Sequence, residues 1–308
     1  MEDFPLQSAV SQDVYQKLKQ ANINTALLFL VTNSLELAKI VDSNEEEVEK
    51  IKFDIAKTIH KPNTIIKASA VNSWKRLKTG CNNIDAVLKN GVPLGLITEI
   101  YGCSGVGKTQ LCLQLALQVQ LPIDMDGLGK GAVYICTEGV FPSQRLHQLA
   151  NVFRSKYNCP NKNFEDSVFL KHVSVVAELQ HCLSVELQLL LRRENIGLII
   201  VDSIAGPFRS DNVREYAMRS RDLIGIAHKL NEIANEHNIA IVCTNQVLDD
   251  IENNKVEPCL GIAWSNSLNY RCQILRSNDN SLREFEIVFS PDLLRQKCCF
   301  SVTEEGLI

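Results

Sequence analysis

The chain of 308 residues is 45% apolar and 22% charged, with a formal net charge of −4 at pH 7. This predicts a globular, soluble protein built of one large domain and a small one. The charge excludes a broad basic surface for nucleic acid and leaves DNA contact to a local groove or to one shared with a partner. No apolar run reaches the roughly eighteen residues that cross a bilayer. The start Met1-Glu2-Asp3-Phe4-Pro5 lacks the basic and apolar stretches of a signal peptide, predicting a protein that stays inside the cell. The 11 cysteines are scattered and odd in number. Several, such as Cys112, Cys136 and Cys243, sit in apolar runs, which predicts small core residues in a reducing compartment. The neighbours Cys298 and Cys299 lack the spacing of a zinc ligand pair.

In chain order, residues 14–19, 34–41 and 46–57 carry the spacing of short amphipathic helices, and Ser43 with Glu46 forms a capping-box pattern before the last. The acidic run Glu45–Glu47 reads as a solvated first turn favoured by the helix dipole. Pro62 and a polar stretch then mark a linker over residues 62–74.

From residue 75 strand and helix patterns alternate, and residues 102–109 read Gly102-Cys103-Ser104-Gly105-Val106-Gly107-Lys108-Thr109, the complete G-x-x-x-x-G-K-T phosphate loop. Its glycines let backbone N–H groups point inward at phosphate oxygens. Lys108 sets a point charge against the β and γ phosphates, and the Thr109 hydroxyl is a ligand for Mg²⁺. A short apolar strand at 96–101 precedes the loop and a helix from Gln110 through Leu117 follows it, with the helix N-terminus adding its partial positive charge. A plain glycine turn is the competing reading, and this order of flanks counts against it.

Residues 132–137, 168–173, 198–201 and 239–244 are further strand candidates, separated by helical stretches at 143–157, 178–194 and 217–237. Continuous apolar strands between amphipathic helices predict a parallel sheet covered on both faces. Closely spaced strands at 268–276, 283–289 and 298–303 predict an antiparallel extension.

Three polar groups fall at strand ends. Asp202 closes the run Leu198-Ile199-Ile200-Val201, as a Walker B carboxylate does, and would orient Mg²⁺ directly or through water. Glu138, at the tip of a neighbouring strand, is the candidate base for a water attacking the γ-phosphate; a solvent-exposed strand-end Glu is its alternative. Gln246 ends a fourth strand, where sensing the γ-phosphate and capping a turn are equal readings.

The phosphate loop with Gln110-Leu111, Tyr134-Ile135-Cys136-Thr137-Glu138, Ile199 to Arg209 and Thr244-Asn245-Gln246-Val247, in this order, resembles the RecA-type recombinase family in its eukaryotic branch. Leu77-Lys78-Thr79-Gly80-Cys81 and Ile84-Asp85-Ala86-Val87-Leu88 match as well. The resemblance implies a RecA-like α/β ATPase core over residues 75–308, with a mostly parallel central sheet and antiparallel C-terminal strands. It further implies a small helical N-terminal domain at 1–60 and a linker at 61–74 carrying a subunit-interface strand. ATP and Mg²⁺ are the implied cofactors, homologous recombination and double-strand break repair the implied function, and the nucleus, with the cytoplasm, the implied location. The implied partners are another recombinase paralogue, the main recombinase, and single-stranded or branched DNA. By resemblance Glu138 takes the catalytic carboxylate position, Arg145 the position that stacks on adenine, and Gln246 that of the γ-phosphate sensor, while Ile65 and Ala68 fall where the linker donates a strand to a neighbour. An ordinary linker strand packed on its own domain is the alternative for this pair.

Two departures qualify the DNA contacts. Residues 1–60 carry Val41-Asp42-Ser43-Asn44 in place of the family's Gly-x-Gly hairpin, so the resemblance does not extend DNA binding to them. The first DNA loop falls near 209–221, with Arg209, Arg214, Arg219 and Arg221 as phosphate contacts or as ordinary exposed-helix arginines. The second, at about 247–263, sets Asp249, Asp250, Glu252 and Glu257 against Lys255, a charge that opposes phosphate binding. Trp264 is read either as a base-stacking residue or as a buried aromatic. Together these features predict an ATP-binding paralogue with slow hydrolysis, acting in a heteromeric complex that supports the recombinase filament. The alternatives are an autonomous phosphate-loop ATPase of helicase or kinase type and a nucleotide-independent adaptor.

Overall fold

Polar residues placed just ahead of apolar stretches start the helices at the N-terminus. Ser11 caps α1 (Gln12–Gln20), Thr25 caps α2 (Ala26–Val31) and Asn33 caps α3 (Ser34–Val41), each accepting a backbone N–H of the first turn. Before α4 (Glu45–Ile59) the cap is Asn44, whose Oδ1 accepts from Glu47 N at 2.8 Å. This corrects the Ser43–Glu46 capping box by one residue; Ser43 Oγ instead donates to the Glu47 carboxylate. Leu18, Phe29, Leu37, Val48 and Ile55 close a small core of their own. The computed structural model describes residues 6–8, 10–59, 74–209, 216–250, 255–277 and 281–308, and the chain divides into two compact units, 1–72 and 73–308. Ile65, Ala68 and Arg214 lie outside the described residues.

The second unit opens with a small antiparallel pair, β1 (Arg76–Leu77) and β2 (Val92–Pro93), around α5 (Asn82–Val87). Next come β3 (Ile97–Tyr101), α6 (Lys108–Gln118), β4 (Gly131–Cys136), α7 (Ser143–Lys156) and β5 (Val168–His172). The single helix expected over 178–194 is α8 (Val176–His181), a π-helical turn at Cys182–Glu186 and α9 (Leu187–Leu191). After β6 (Ile196–Asp202) come α10 (Gly206–Arg209), α11 (Tyr216–His237) and β7 (Ala240–Asn245). The stretch read as the second DNA loop holds a hairpin, β8 (Val247–Asp250) with β9 (Lys255–Pro258), and a short helix α12 (Gly261–Ser265). The chain ends in β10 (Tyr270–Arg276), β11 (Leu282–Phe289), β12 (Lys297–Thr303) and β13 (Gly306–Leu307).

Among the described residues the main sheet has nine strands in the order β13-β12-β11-β10-β3-β7-β6-β4-β5. It is parallel from β10 to β5 and antiparallel from β10 outward to β13, as the α/β pattern and the closely spaced last strands predict. Alternation along each strand feeds two cores. Ala132, Tyr134, Leu198 and Ile200 face α6 and α7, while Val133, Ile135, Ile199 and Val201 face α8, α9 and α11. With both faces covered, the strands read as unbroken apolar runs. The phosphate loop leaves β3 at the centre of the sheet, where strand order places β6 and β4 beyond β7 on one side and β10 on the other. No helix among the described residues is long and apolar enough to cross a membrane.

Candidate functional site

The loop between β3 and α6 depends on glycine where backbones pass closely. A Cβ at Gly102 would stand 2.3 Å from the Ile274 carbonyl of β10, so only glycine lets the two backbones pass. Gly107 caps α6 at φ +109°, a left-handed conformation that directs the first-turn N–H groups to the loop interior. Lys108 Nζ donates to the loop's own carbonyls, Gly102 O at 2.6 Å and Cys103 O at 2.8 Å. Burial lowers its pKa, against the attraction of Asp202 and Glu138.

Asp202 ends β6, and both neighbouring strands reach it. Its Oδ2 accepts from Thr109 Oγ1 at 2.9 Å and from the Tyr134 hydroxyl of β4 at 2.5 Å, and its Oδ1 accepts from Thr244 Oγ1 of β7 at 2.5 Å. Burial pushes the Tyr134 phenol far above its ordinary value, so it stays a proton donor to the carboxylate. Thr109 and Asp202, the two expected metal ligands, are therefore in direct contact. Hydroxyl and carboxylate oxygens together are a donor set suited to a hard divalent cation.

Glu138 lies just past β4 and carries three contacts. Its Oε2 accepts from Gln246 Nε2 at 2.6 Å, its Oε1 accepts from Ser203 Oγ at 2.7 Å, and Arg209 Nη1 stands 3.2 Å from Oε1. Ser203 is fixed in turn by Thr137, whose Oγ1 accepts from Ser203 N at 2.8 Å. The Asp202–Ser203 peptide is cis. Glu138, Ser203 and Gln246, with Ser104, Gly105, Lys108 and Gln110, line a cleft of about 450 Å³, within the range of small-ligand sites.

Arg145 of α7 is locked edge-on: Nε donates to Gln110 Oε1 at 2.8 Å, and Nη1 and Nη2 donate to the carbonyls of Glu304 and Thr303 at 2.9 and 2.5 Å. Hydrogen bonds in the guanidinium plane are compatible with a ring stacked on its face. The C-terminal strands also supply groups that the sequence patterns passed over. Arg283 of β11 and Val302 of β12 line the cleft, and Arg276 of β10, directly opposite Arg283 in the ladder, brings Nη2 within 3.3 Å of a Cβ built on Gly105. Ser203, Thr244, Arg276 and Arg283 are polar residues in or just after strands. The strand-end rule that picked out Asp202 could have found Ser203 and Thr244; nothing local marks the arginines.

Of the expected DNA arginines, Arg209, Arg219 and Arg221 lie among the described residues, and Arg209 and Arg219 both bear electrostatically on Cys259. Arg209 is drawn to Glu138, Arg219 lies over the Phe208 ring at 5.9 Å, and Arg221, two positions on, points to another side of α11. Trp264 is fully buried and donates Nε1–H to Glu99 at 2.7 Å, which decides against base stacking in this conformation.

The Rad51 family profile matches residues 72–308. DNA repair protein XRCC3 of Mus musculus is 35% identical over 269 residues, covering 78% of this chain and 77% of its own. The XRCC3 homolog of Arabidopsis thaliana is 34% identical over 298 residues, with 80% and 96% covered. DNA repair protein RAD51 homolog 3 of Cricetulus griseus is 30% identical over 336 residues, with 98% and 90% covered. With that profile spanning the sheet and the phosphate loop in place at its centre, the chain belongs to the Rad51 family, as a RecA-like paralogue of recombinational DNA repair.

Proposed function

We propose that this chain binds ATP and Mg²⁺ and acts in homologous recombination and double-strand break repair, in the nucleus, as one subunit of a complex with another recombinase paralogue. The observation that carries this reading is the convergence of Lys108, Thr109, Asp202, Glu138 and Gln246 on one cleft. The residues fit the nucleotide. Gly105 and Gly107 leave room for phosphates against backbone N–H groups, Lys108 faces them, and Thr109 with Asp202 would hold the metal, which neutralises charge on the β and γ phosphates when bound. Arg145 is the adenine-facing residue in this reading.

Glu138 is the base, and its contacts support slow turnover. A carboxylate already bonded to Gln246, Ser203 and Arg209 has three of its roughly four lone-pair positions occupied, so few orientations are left for an attacking water. Gln246 would sense the γ-phosphate by leaving Glu138 for it. Nucleotide state then biases assembly, provided ATP makes different contacts in the assembled and free states.

Two features support an assembly role. Among the described residues β5 is an edge strand, paired only with β4, and beside it Phe141, Leu146, Val168 and Leu170 line an apolar groove. An open edge next to apolar pockets suits an added strand from a partner. Ile65 and Ala68 of the linker at 61–74, between the helical domain 1–60 and the ATPase domain 75–308, would be the corresponding donor. DNA contact by Arg209, Arg214, Arg219 and Arg221 is secondary in this reading, as is contact with the main recombinase.

The test is calorimetric ATP binding and co-purification with Rad51-family paralogues, with and without ATP, for the parent and Lys108→Ala. Lys108→Ala is expected to lose both nucleotide and ATP-dependent assembly. If it changes neither, the ATP-coupled reading fails, and rapid ATP turnover by the isolated chain would favour an autonomous enzyme.

A further inference from the structure

Glu99, Asn245 and Trp264 form a node under the cleft, each with 0% of its surface exposed. A carboxylate buried this deeply requires a charge partner. Arg271 of β10 provides it, donating Nε–H to Glu99 Oε2, with its guanidinium over the Tyr101 and Phe289 rings at 5.8 and 5.6 Å. The other carboxylate oxygen, Oε1, accepts from Trp264 Nε1 at 2.7 Å and from Asn245 Nδ2 at 2.8 Å.

The remaining capacity of the Asn245 amide is turned toward the loop. Nδ2 also donates to Cys259 O at 2.8 Å, and Oδ1 accepts from Gln246 N at 2.8 Å. Cys259 N donates back to Gln246 O at 2.8 Å, so Gln246 and Cys259 close the base of the β8–β9 hairpin. One planar amide thus makes three bonds, and it cannot turn without weakening all of them. On one side it holds the backbone of Gln246, whose side chain reaches Glu138; on the other it holds Glu99, which holds Trp264 of α12.

We propose that Asn245, anchored on Glu99, is a positioning residue that ties Gln246 to the hairpin base and to α12, so that re-aiming the Gln246 side chain is felt at Trp264. The proposal rests on the nucleotide reading of the cleft. Gln246 has two sets of contacts, Glu138 in this structure and a γ-phosphate when ATP is bound, and an amide held by three hydrogen bonds passes a change of backbone at Gln246 to Glu99 and Cys259. Asn245 and Glu99 touch neither phosphate nor metal; they act through Gln246.

The chain has two tryptophans, so Trp74→Phe leaves Trp264 as the sole indole emitter. In that background ATP–Mg²⁺, but not ADP–Mg²⁺, is expected to change Trp264 emission. Asn245→Ala is expected to abolish the change while calorimetry still detects bound ATP. A merely structural Asn245 would lower the melting temperature of its variant and leave the emission response intact, and that result overturns the proposal. So does ATP that binds with no emission change in the parent. Calorimetry without ATP binding in the parent overturns the nucleotide reading and the relay together, and is thereby distinct from the failure of the relay alone. Should Asn245→Ala not fold, Gln246→Ala, at a partly exposed position, interrogates the same connection from its outer end: a response that survives there overturns it.

Discussion

Gln246 Nε2 and Glu138 Oε2 meet at 2.6 Å, although 108 residues separate them in the chain. The contact joins the residue that would detect a γ-phosphate to the residue that would activate water, so each restrains the other while the cleft is in this conformation. Glu138→Gln keeps the hydrogen bond, since an amide oxygen also accepts, and removes the base. It is expected to reduce single-turnover hydrolysis about a hundredfold or more while ATP affinity stays within about threefold. Parent-rate hydrolysis by Glu138→Gln would remove Glu138 from the role of base.

Arg283 approaches the cleft from the antiparallel side of the sheet, opposite Arg276 across the β10–β11 ladder. A guanidinium this close to the phosphate loop contributes charge-assisted hydrogen bonds to a polyphosphate, each about 1.5–3 kcal/mol. Arg283→Gln is accordingly expected to weaken ATP roughly tenfold or more by calorimetry. Arg276 is exposed, so Arg276→Gln is expected to have a smaller effect that fades as salt is added. Equal affinity for parent and Arg283→Gln would mean that the side chain borders the cleft without serving it.

These arginines show where sequence reading ends. Strands β4, β6 and β7 and the loop at 102–109 are legible because burial on both faces demands unbroken apolar runs and phosphate approach demands glycine, both of which are local patterns. Asp202 and Glu138 are legible as carboxylates at the tips of such runs. Arg283 is one charged residue among several in an antiparallel strand, and only the ladder places it at the cleft. Trp264 and Glu99 are 165 residues apart; neither position announces a partner, and the buried pairing that decides against base stacking exists only once β3 and α12 are packed. The pair β8–β9 falls in a stretch that the family resemblance reads as a loop, and its acidic residues bear on phosphate binding and not on β pairing.

Leu170 projects from the edge strand β5 with 50% of its surface exposed. Leu170→Glu therefore leaves the folded monomer nearly unchanged, while it puts a charge into the apolar groove where an added strand would pack. The expected outcome is loss of co-purification with a Rad51-family paralogue at an unchanged melting temperature. Full retention of every partner would move the assembly surface away from β5.

Glu165 lies beside the same groove and ties the segment before β5 to α7. His147 Nδ1 stands 2.6 Å from its Oε1, and Arg154 Nη2 stands 2.7 Å from its Oε2. Burial raises the carboxyl pKa, but the hydrogen bond with His147 and the Arg154 charge outweigh it, and the net result lies below the ordinary value. The sign follows from linkage. The unfolded chain binds the proton more readily than the folded one, so the stabilisation is complete above the ordinary carboxylate pKa and is lost as pH falls through the depressed folded value. Glu165→Gln is expected to lower stability at neutral pH by up to about 1 kcal/mol, the scale of a partly exposed pair. The gap from the parent should close as pH falls below about 4. Urea unfolding of the two proteins across a pH series reads this directly, and a gap that stays constant from neutral to acid pH would show that the ionised carboxylate contributes nothing to holding this segment on α7.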